Sequence, residues 1–156
     1  MPLVRILVDG YSLLHNWSEL APGRARHSAV ARDELIRRLT LYQDAIHTPI
    51  TVFFDGAGAP AGTPRDSTTR GLEVIYSRKG QTADDLIERA AYRFSSYGEV
   101  LAVTDDQAER DTVISLGGMA SNCYNFIESV KSTLAEFTDD LKHYNRKERH
   151  RYQRRR

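Results

Sequence analysis

The sequence predicts an α/β fold, a doubly wound and mostly parallel sheet with helices on both faces. Three observations lead there. Four short runs, Leu3–Val8, Ile50–Phe54, Leu72–Tyr76 and Glu99–Val103, are aliphatic or aromatic without clean polar alternation, as strands covered on both faces are. Segments of helical apolar spacing separate most of them, which calls for crossovers rather than hairpins. Three of the four runs also end within two residues of an aspartate: Asp9, Asp55, and Asp105 with Asp106.

Leu3–Val8 runs into Asp9-Gly10-Tyr11-Ser12. An aspartate at the carboxyl end of such a strand lies beside the crevice where open α/β sheets bind ligands. An aspartate that merely terminates a strand before a glycine turn has the same appearance, so Asp9 alone decides nothing. Leu13–Leu20 opens a helix that Ala21-Pro22-Gly23 interrupts. From Ser28 a long amphipathic helix offers Val30, Leu35, Ile36, Leu39, Tyr42 and Ile46 to a core, and Pro49 stops it. Arg24, Arg26, His27 and Arg32 at its start form either a solvated surface, the preferred reading, or a phosphate-binding rim.

After Ile50–Phe54, the stretch Gly56–Arg70 holds three Gly, two Pro and several Ser/Thr, and reads as a mobile loop. A loop of that length in a compact domain is often functional, and its Arg65 and Arg70 suit an anionic substrate. Leu72–Tyr76 then delivers the chain to Arg78–Glu88, RKGQTADDLIE, on which the functional reading turns. Thr82 caps a helix over Ala83–Tyr97 whose stripe is Leu86, Ile87, Ala90, Ala91 and Phe94, and Gly98 ends it. Asp84 and Asp85 fall in its first turn, and Glu88, four residues after Asp84, shares that face. First-turn carboxylates also serve simply to favour the helix dipole. Arg78 and Lys79, just ahead of the cap, are further candidate substrate contacts.

Glu99–Val103 leads into Thr104-Asp105-Asp106, followed by helical spacing through Val113, Ile114 and Leu116 to Gly117-Gly118. A short fifth strand is expected at Ala120–Tyr124. A final helix over Asn125–Tyr144 carries Phe126, Ile127, Val130, Leu134, Phe137 and Leu141 on one side. Residues 1–144 read as one domain. Residues 145–156 have no core face and read as a helical extension or a disordered tail.

Hydrophobic residues at 40% and charged residues at 28% are ordinary for a soluble globular chain. The net charge of +1 conceals an asymmetry: Lys142–Arg156 holds eight Lys/Arg and one Glu, about +7, leaving the first 141 residues near −6. Cys123 is the single cysteine, so neither an internal disulfide nor a cysteine-based zinc site is available. The amino-terminal apolar run is too short for a signal peptide, and nothing approaches the ~20 apolar residues of a membrane span, so a cytoplasmic location is expected.

In a doubly wound sheet Asp9, Asp84/Asp85 and Asp105/Asp106 converge from three segments on one crevice. Carboxylates crowded in this way repel one another and call for a compensating cation. The donors are hard oxygens, which selects Mg²⁺ or Mn²⁺, and metal-assisted phosphodiester hydrolysis is the reaction class that uses such parts. No GxxxxGK[ST] phosphate loop, no GxGxxG after the first strand and no GxSxG elbow is present. A phosphoacceptor receiver domain would need an acidic pair at the first strand end, where only Asp9 stands. His15 and His27 lie near the site in sequence, with a surface or core role preferred for each.

At these residues the sequence resembles the NYN domains of the PIN-like nuclease superfamily, in their YacP-like branch. ILVDGYSLLH, FFDG, KGQTADDLIE and VLAVTDD carry the resemblance, over roughly residues 3 to 130. It implies a Rossmann-like three-layer sandwich of strand order 3-2-1-4-5 and a divalent-metal-dependent endoribonuclease. It also implies ribosomes and messenger RNA as partners. The family's strand-one metal carboxylate matches Asp9, its acidic pair matches Asp84 and Asp85, and its strand-four aspartate best matches Asp106. Asp105 stands beside it, at a position often Ser or Asn. Expected metal ligands are therefore Asp9, Asp84, Asp106 and Asp105, with Asp85 counted among the catalytic carboxylates and Glu88 and Thr104 in the outer shell. Ser12 replaces an Asn common in the family; its hydroxyl still suits a substrate contact, at shorter reach.

The basic tail complements this reading, because an acidic centre repels RNA and affinity must come from cations elsewhere. Arg146, Lys147, Arg149, Arg151, Arg154, Arg155 and Arg156 are the candidate phosphate contacts, and Tyr144 and Tyr152 can stack on bases. A merely solubilising tail is the alternative. The rival functions are a non-catalytic RNA-binding or ribosome-associated module and a phosphatase or nuclease acting on DNA. The choice of RNA over DNA comes from the resemblance alone.

Overall fold

The computed structural model describes residues 3–56, 66–69 and 72–154, with the side chains of 66–69, 150 and 152–154 outside that description. The elements run β1 (Leu3–Asp9), α1 (Gly10–Asn16), a 3₁₀ turn (Ser18–Leu20), α2 (Ala29–Ile46), β2 (Ile50–Phe54), β3 (Asp66–Thr69) and β4 (Leu72–Tyr76). They continue with α3 (Ala83–Phe94), β5 (Glu99–Val103), α4 (Gln107–Ser115), β6 (Met119–Ser121) and α5 (Cys123–Arg154).

The sheet order is β3-β4-β2-β1-β5-β6, and every pairing except β3·β4 is parallel. Counted over the parallel strands alone this is the expected 3-2-1-4-5 arrangement. The central strand explains why β1 shows no polar alternation. Ile6 and Val8 point into one apolar layer with Leu13, Leu35, Leu39, Phe126 and Val130, while Leu7 between them points into the other, with Ile87, Ala91, Ala102 and Val113. Helices α1, α2 and α5 thus cover one face, and α3 and α4 the other.

Local chemistry sets the helix ends. Ser28 caps α2 through Ala31 N, and His47 closes it in the left-handed conformation, φ 58°. Gly10 opens α1 directly under the Phe54 ring, where a Cβ would collide with the aromatic carbons. Beyond β1 the chain builds β2 and β4 on one side, then returns to build β5 and β6 on the other. The carboxyl ends of β1 and β5 therefore flank the topological switch point, where such sheets bind their ligands.

One expectation needs correction. The stretch Gly56–Arg70 is not wholly loop: Asp66–Thr69 adds an antiparallel edge strand to β4, Ser67 opposite Val74. Of the two readings open for the tail, the helical extension is the one observed as far as Arg154, the 32 residues of α5 spanning about 48 Å at 1.5 Å per residue. Val130 is fully buried, whereas Phe137, Leu141 and Tyr144 are 47–60% exposed, so the last part of α5 stands clear of the core. Smaller shifts are β6 beginning at Met119 and α3 ending at Phe94. No helix among the described residues is long and apolar enough to cross a membrane.

Candidate active site

Asp9 ends β1 and caps α1 at the same time. Its Oδ1 accepts from Ser12 N at 3.4 Å, and its Oδ2 accepts from the Ser12 hydroxyl at 3.1 Å and from Thr104 Oγ1 at 3.5 Å. Burial raises its pKa, the Ser12 and Thr104 hydrogen bonds oppose that rise, and the charge of Asp55 adds to it. Thr104 is completely buried, and its hydroxyl also accepts from Asp106 N at 3.2 Å, so one side chain ties the end of β1 to the start of α4.

Asp84 projects from the first turn of α3, half-buried, and its carboxyl is pushed up to about 6. Burial is the largest cause, followed by the negative charges of Asp9, Asp106, Asp55 and Glu88. Four segments thus bring acidic groups to bear on one side chain. Asp55, at the end of β2, accepts from Ala83 N at 2.7 Å and so fastens the start of α3 to the sheet beside Asp84. None of the ion pairs formed by described residues includes Asp9, Asp55, Asp84 or Asp106.

The other acidic residues serve differently. Asp85 is exposed and completes a capping box: its Oδ2 accepts from Thr82 N and Thr82 Oγ1 accepts from Asp85 N, both at 3.1 Å. Asp105, expected as a fourth ligand, has both oxygens engaged, Oδ1 by Cys123 N at 2.9 Å and Oδ2 by Asn16 Nδ2 at 2.6 Å. It clasps the end of α1 to the start of α5. Asp106 caps α4 by accepting from Glu109 N at 3.2 Å.

Glu109, which sequence reasoning passed over, belongs to the same cluster. It is only 4% exposed, its Oε1 has no hydrogen-bond partner among the described residues, and its carboxyl is pushed up to about 8. Burial dominates, then the charge of Asp84 and a hydrogen bond shared with Glu88. Nothing local flagged it, because a glutamate on a short polar helix is ordinarily solvated. Asp55 was more accessible to reading, since it repeats the Asp-Gly strand ending of Asp9.

Among the expected substrate contacts, Ser12 turns its hydroxyl to Asp9, and Arg78 and Lys79 are exposed ahead of α3. Arg65 and Arg70 lie outside the described residues. Arg146, Lys147, Arg149 and Arg151 are exposed on α5. Arg154 is the last described residue of that helix, and its side chain, like all of Arg155 and Arg156, lies outside the description.

Hard, mutually repelling carboxylates fit a divalent cation in kind. As the side chains stand, no three His, Cys, Asp or Glu groups among the described residues are gathered around a single metal position.

A Rossmann-like sheet with carboxylates at its switch point is the architecture of the nuclease-type domains of the PIN-like class. The chain matches the YacP-like NYN domain family over residues 6–156, and it belongs to that family. It is 27% identical over 128 residues to the Bacillus subtilis uncharacterized protein YacP, covering 81% of this chain and 75% of that one. The crystal structure of Rae1 (YacP) from Bacillus subtilis matches the fold with a TM-score of 0.76 at 24% identity, over 91% of this chain and 80% of the other. A point mutant of the same protein matches at the same TM-score and identity over 92% and 84%.

Proposed function

We propose that this protein is a divalent-metal-dependent endoribonuclease that hydrolyses phosphodiester bonds within RNA, its family resemblance pointing to messenger RNA on the ribosome. The observation that carries the proposal is Asp84, a half-buried carboxyl facing the charges of Asp9, Asp55 and Asp106 from three other segments. Asp9, Asp84 and Asp106 would hold Mg²⁺ or Mn²⁺. Such an ion, when bound, activates water and stabilises the charge that develops on a phosphate undergoing displacement. The chain's own residues supply the rest. Ser12 and Thr104 orient Asp9 by donating to it, and Asp55 fixes the helix start that presents Asp84. Glu109, whose carboxyl burial pushes up to about 8, keeps its proton at neutral pH and so adds no full charge beside Asp84. Arg78, Lys79 and the basic end of α5 hold the RNA backbone that this acidic centre repels.

The test is cleavage of a long single-stranded RNA with Mn²⁺, with Mg²⁺ and with EDTA, beside the Asp84→Asn variant. Internal cuts that need metal and vanish in the variant are expected. Full activity of Asp84→Asn, in a preparation free of contaminating nuclease, would refute the assignment.

A second reading, an RNA-binding or ribosome-associated module without turnover, is supported by the exposed basic end of α5, which could hold RNA without a metal centre. Removing residues 145–156 separates the two. Both readings expect weaker RNA binding and a shallower salt dependence, by about 0.7 in log–log slope for each phosphate of a single strand that the tail would otherwise neutralise. Only the enzyme keeps metal-dependent cutting at high protein concentration.

A further inference from the structure

Past Leu134 the final helix carries a line of apolar side chains that the core does not use. Val130, Leu134, Phe137, Leu141 and Tyr144 follow one another at alternating intervals of four and three residues, and so lie along one side of α5. The apolar clusters of the core take in Val130 and Leu134 and none of the later three. Phe137, Leu141 and Tyr144 stand exposed on a helix that runs about 30 Å beyond Leu134 at 1.5 Å per residue. A helix of that length is marginal in water unless its apolar side is covered.

Three features identify what covers it. The first is the spacing, which is that of the seam by which one helix packs along another. The second is charge. Glu136, Asp139 and Asp140 come first along the exposed part; Lys142, Arg146, Lys147, Arg149 and Arg151 follow, with only Glu148 among them. RNA would be held by the second group, repelled by the first, and would leave the apolar line bare. A second copy of this helix laid antiparallel sets each group against its opposite, whereas a parallel copy sets like against like. The third is position. The core holds α5 at its amino-terminal part, so antiparallel pairing of the free ends carries the two domains away from each other.

We propose that the exposed ends of α5 from two copies of this chain pair antiparallel about a twofold axis, with Leu141 of each copy beside Tyr144 of the other. In that register Asp140 of each copy stands opposite Lys147 of the other, and the contact repeats across the axis. Neither residue forms an ion pair within the chain among the described residues. Arg146 lies on the opposite side of the helix from the apolar line and stays available for RNA. The pairing goes beyond the nuclease reading and does not rest on it.

The test is sedimentation equilibrium of the full chain, freed of nucleic acid, over a range of protein concentrations at about 50 mM and about 500 mM salt. A reversible monomer–dimer equilibrium that loosens as salt rises is expected. Leu141→Glu, at an exposed position, should leave the melting temperature unchanged and the chain monomeric. Asp140→Lys sets two like-charge contacts across the axis and should weaken the dimer about tenfold or more. Asp140→Lys/Lys147→Asp should restore it, which a merely structural role for either residue would not do. A parent chain that stays monomeric up to about 1 mM at low salt overturns the proposal. So does a dimer indifferent to Leu141→Glu or Asp140→Lys, or one that the double exchange fails to rescue. Association that disappears once nucleic acid is removed overturns it too, and would make the end of α5 an RNA-binding arm alone.

Discussion

Two pairs of neighbouring aspartates stand at the mouth of the sheet, and within each pair the carboxylates serve different ends. Asp84 is half-buried among other acids and titrates near 6, while Asp85, the next residue, is exposed and closes a capping box. Asp105 gives both oxygens to amides of α1 and α5, while Asp106 keeps one oxygen on the cap of α4 and bears on the charge of Asp84. Asp84 and Asp85 are successive helical residues and so point about 100° apart, while Asp105 and Asp106 part in the turn ahead of α4. In each pair one carboxylate bears on the charge of the crevice and its neighbour serves architecture.

The largest expected effect tests that division directly. Asp84→Asn should lower single-turnover cleavage on the order of a thousandfold, since metal chemistry supplies several kcal/mol of transition-state stabilisation. Its melting temperature should stay level or rise slightly, because one repelling charge has gone. Asp85→Asn should leave cleavage within about tenfold of the parent, the scale of an outer-shell change. The opposite ranking would exchange the two roles.

In the second pair, Asp105→Ala strands the Cys123 amide and the Asn16 side chain. It should cost about 1–3 kcal/mol in a urea melt, with less change in cleavage measured well below the transition. Equal stability of the variant and the parent would mean that the clasp between α1 and α5 holds nothing together.

Glu109 and Asp84 sharpen the electrostatic side of the comparison. Unfolded carboxyls titrate near about 4, whereas these two keep their protons to about 6 and about 8 in the folded chain. Between about pH 4 and pH 8 the unfolded state binds fewer protons, so stability falls as pH rises. Melting in EDTA should follow that slope. Glu109→Gln should flatten it and raise the melting temperature at pH 8. A Glu109→Gln profile parallel to the parent's would remove Glu109 from the cluster.

The smallest effect belongs to the capping box. Asp85→Ala should destabilise the chain by about 1 kcal/mol, a shift of a few degrees in melting temperature.

Much of this was legible in the sequence, and for identifiable reasons. β1, β2, β4 and β5 were legible because a strand covered on both faces has to be apolar throughout. The start of α2 was legible because Ser28 can satisfy an orphan amide only at a helix end. Asp9, Asp84 and Asp106 were legible as candidates because each follows a strand end or opens a helix, and the fold brings their charges together. By contrast, β3 was hidden: Asp-Ser-Thr-Thr has no apolar alternation, and an edge strand of that kind exists only through its pairing with β4. The length of α5 beyond Tyr144 was left open because its Arg- and Lys-rich segment has good helix propensity but no core face to demand it.

By itself, then, the sequence determined the parallel sheet, its covering helices and the acidic character of one crevice, since periodicity and strand-end chemistry are local properties. Only the tertiary structure decided which carboxylates share charge and which are spent on caps. It also decided that Glu109 is buried close to Glu88 and that Asp55 holds the start of α3. Those outcomes depend on which segments are brought together, and electrostatic coupling and burial follow distance in space rather than separation along the chain.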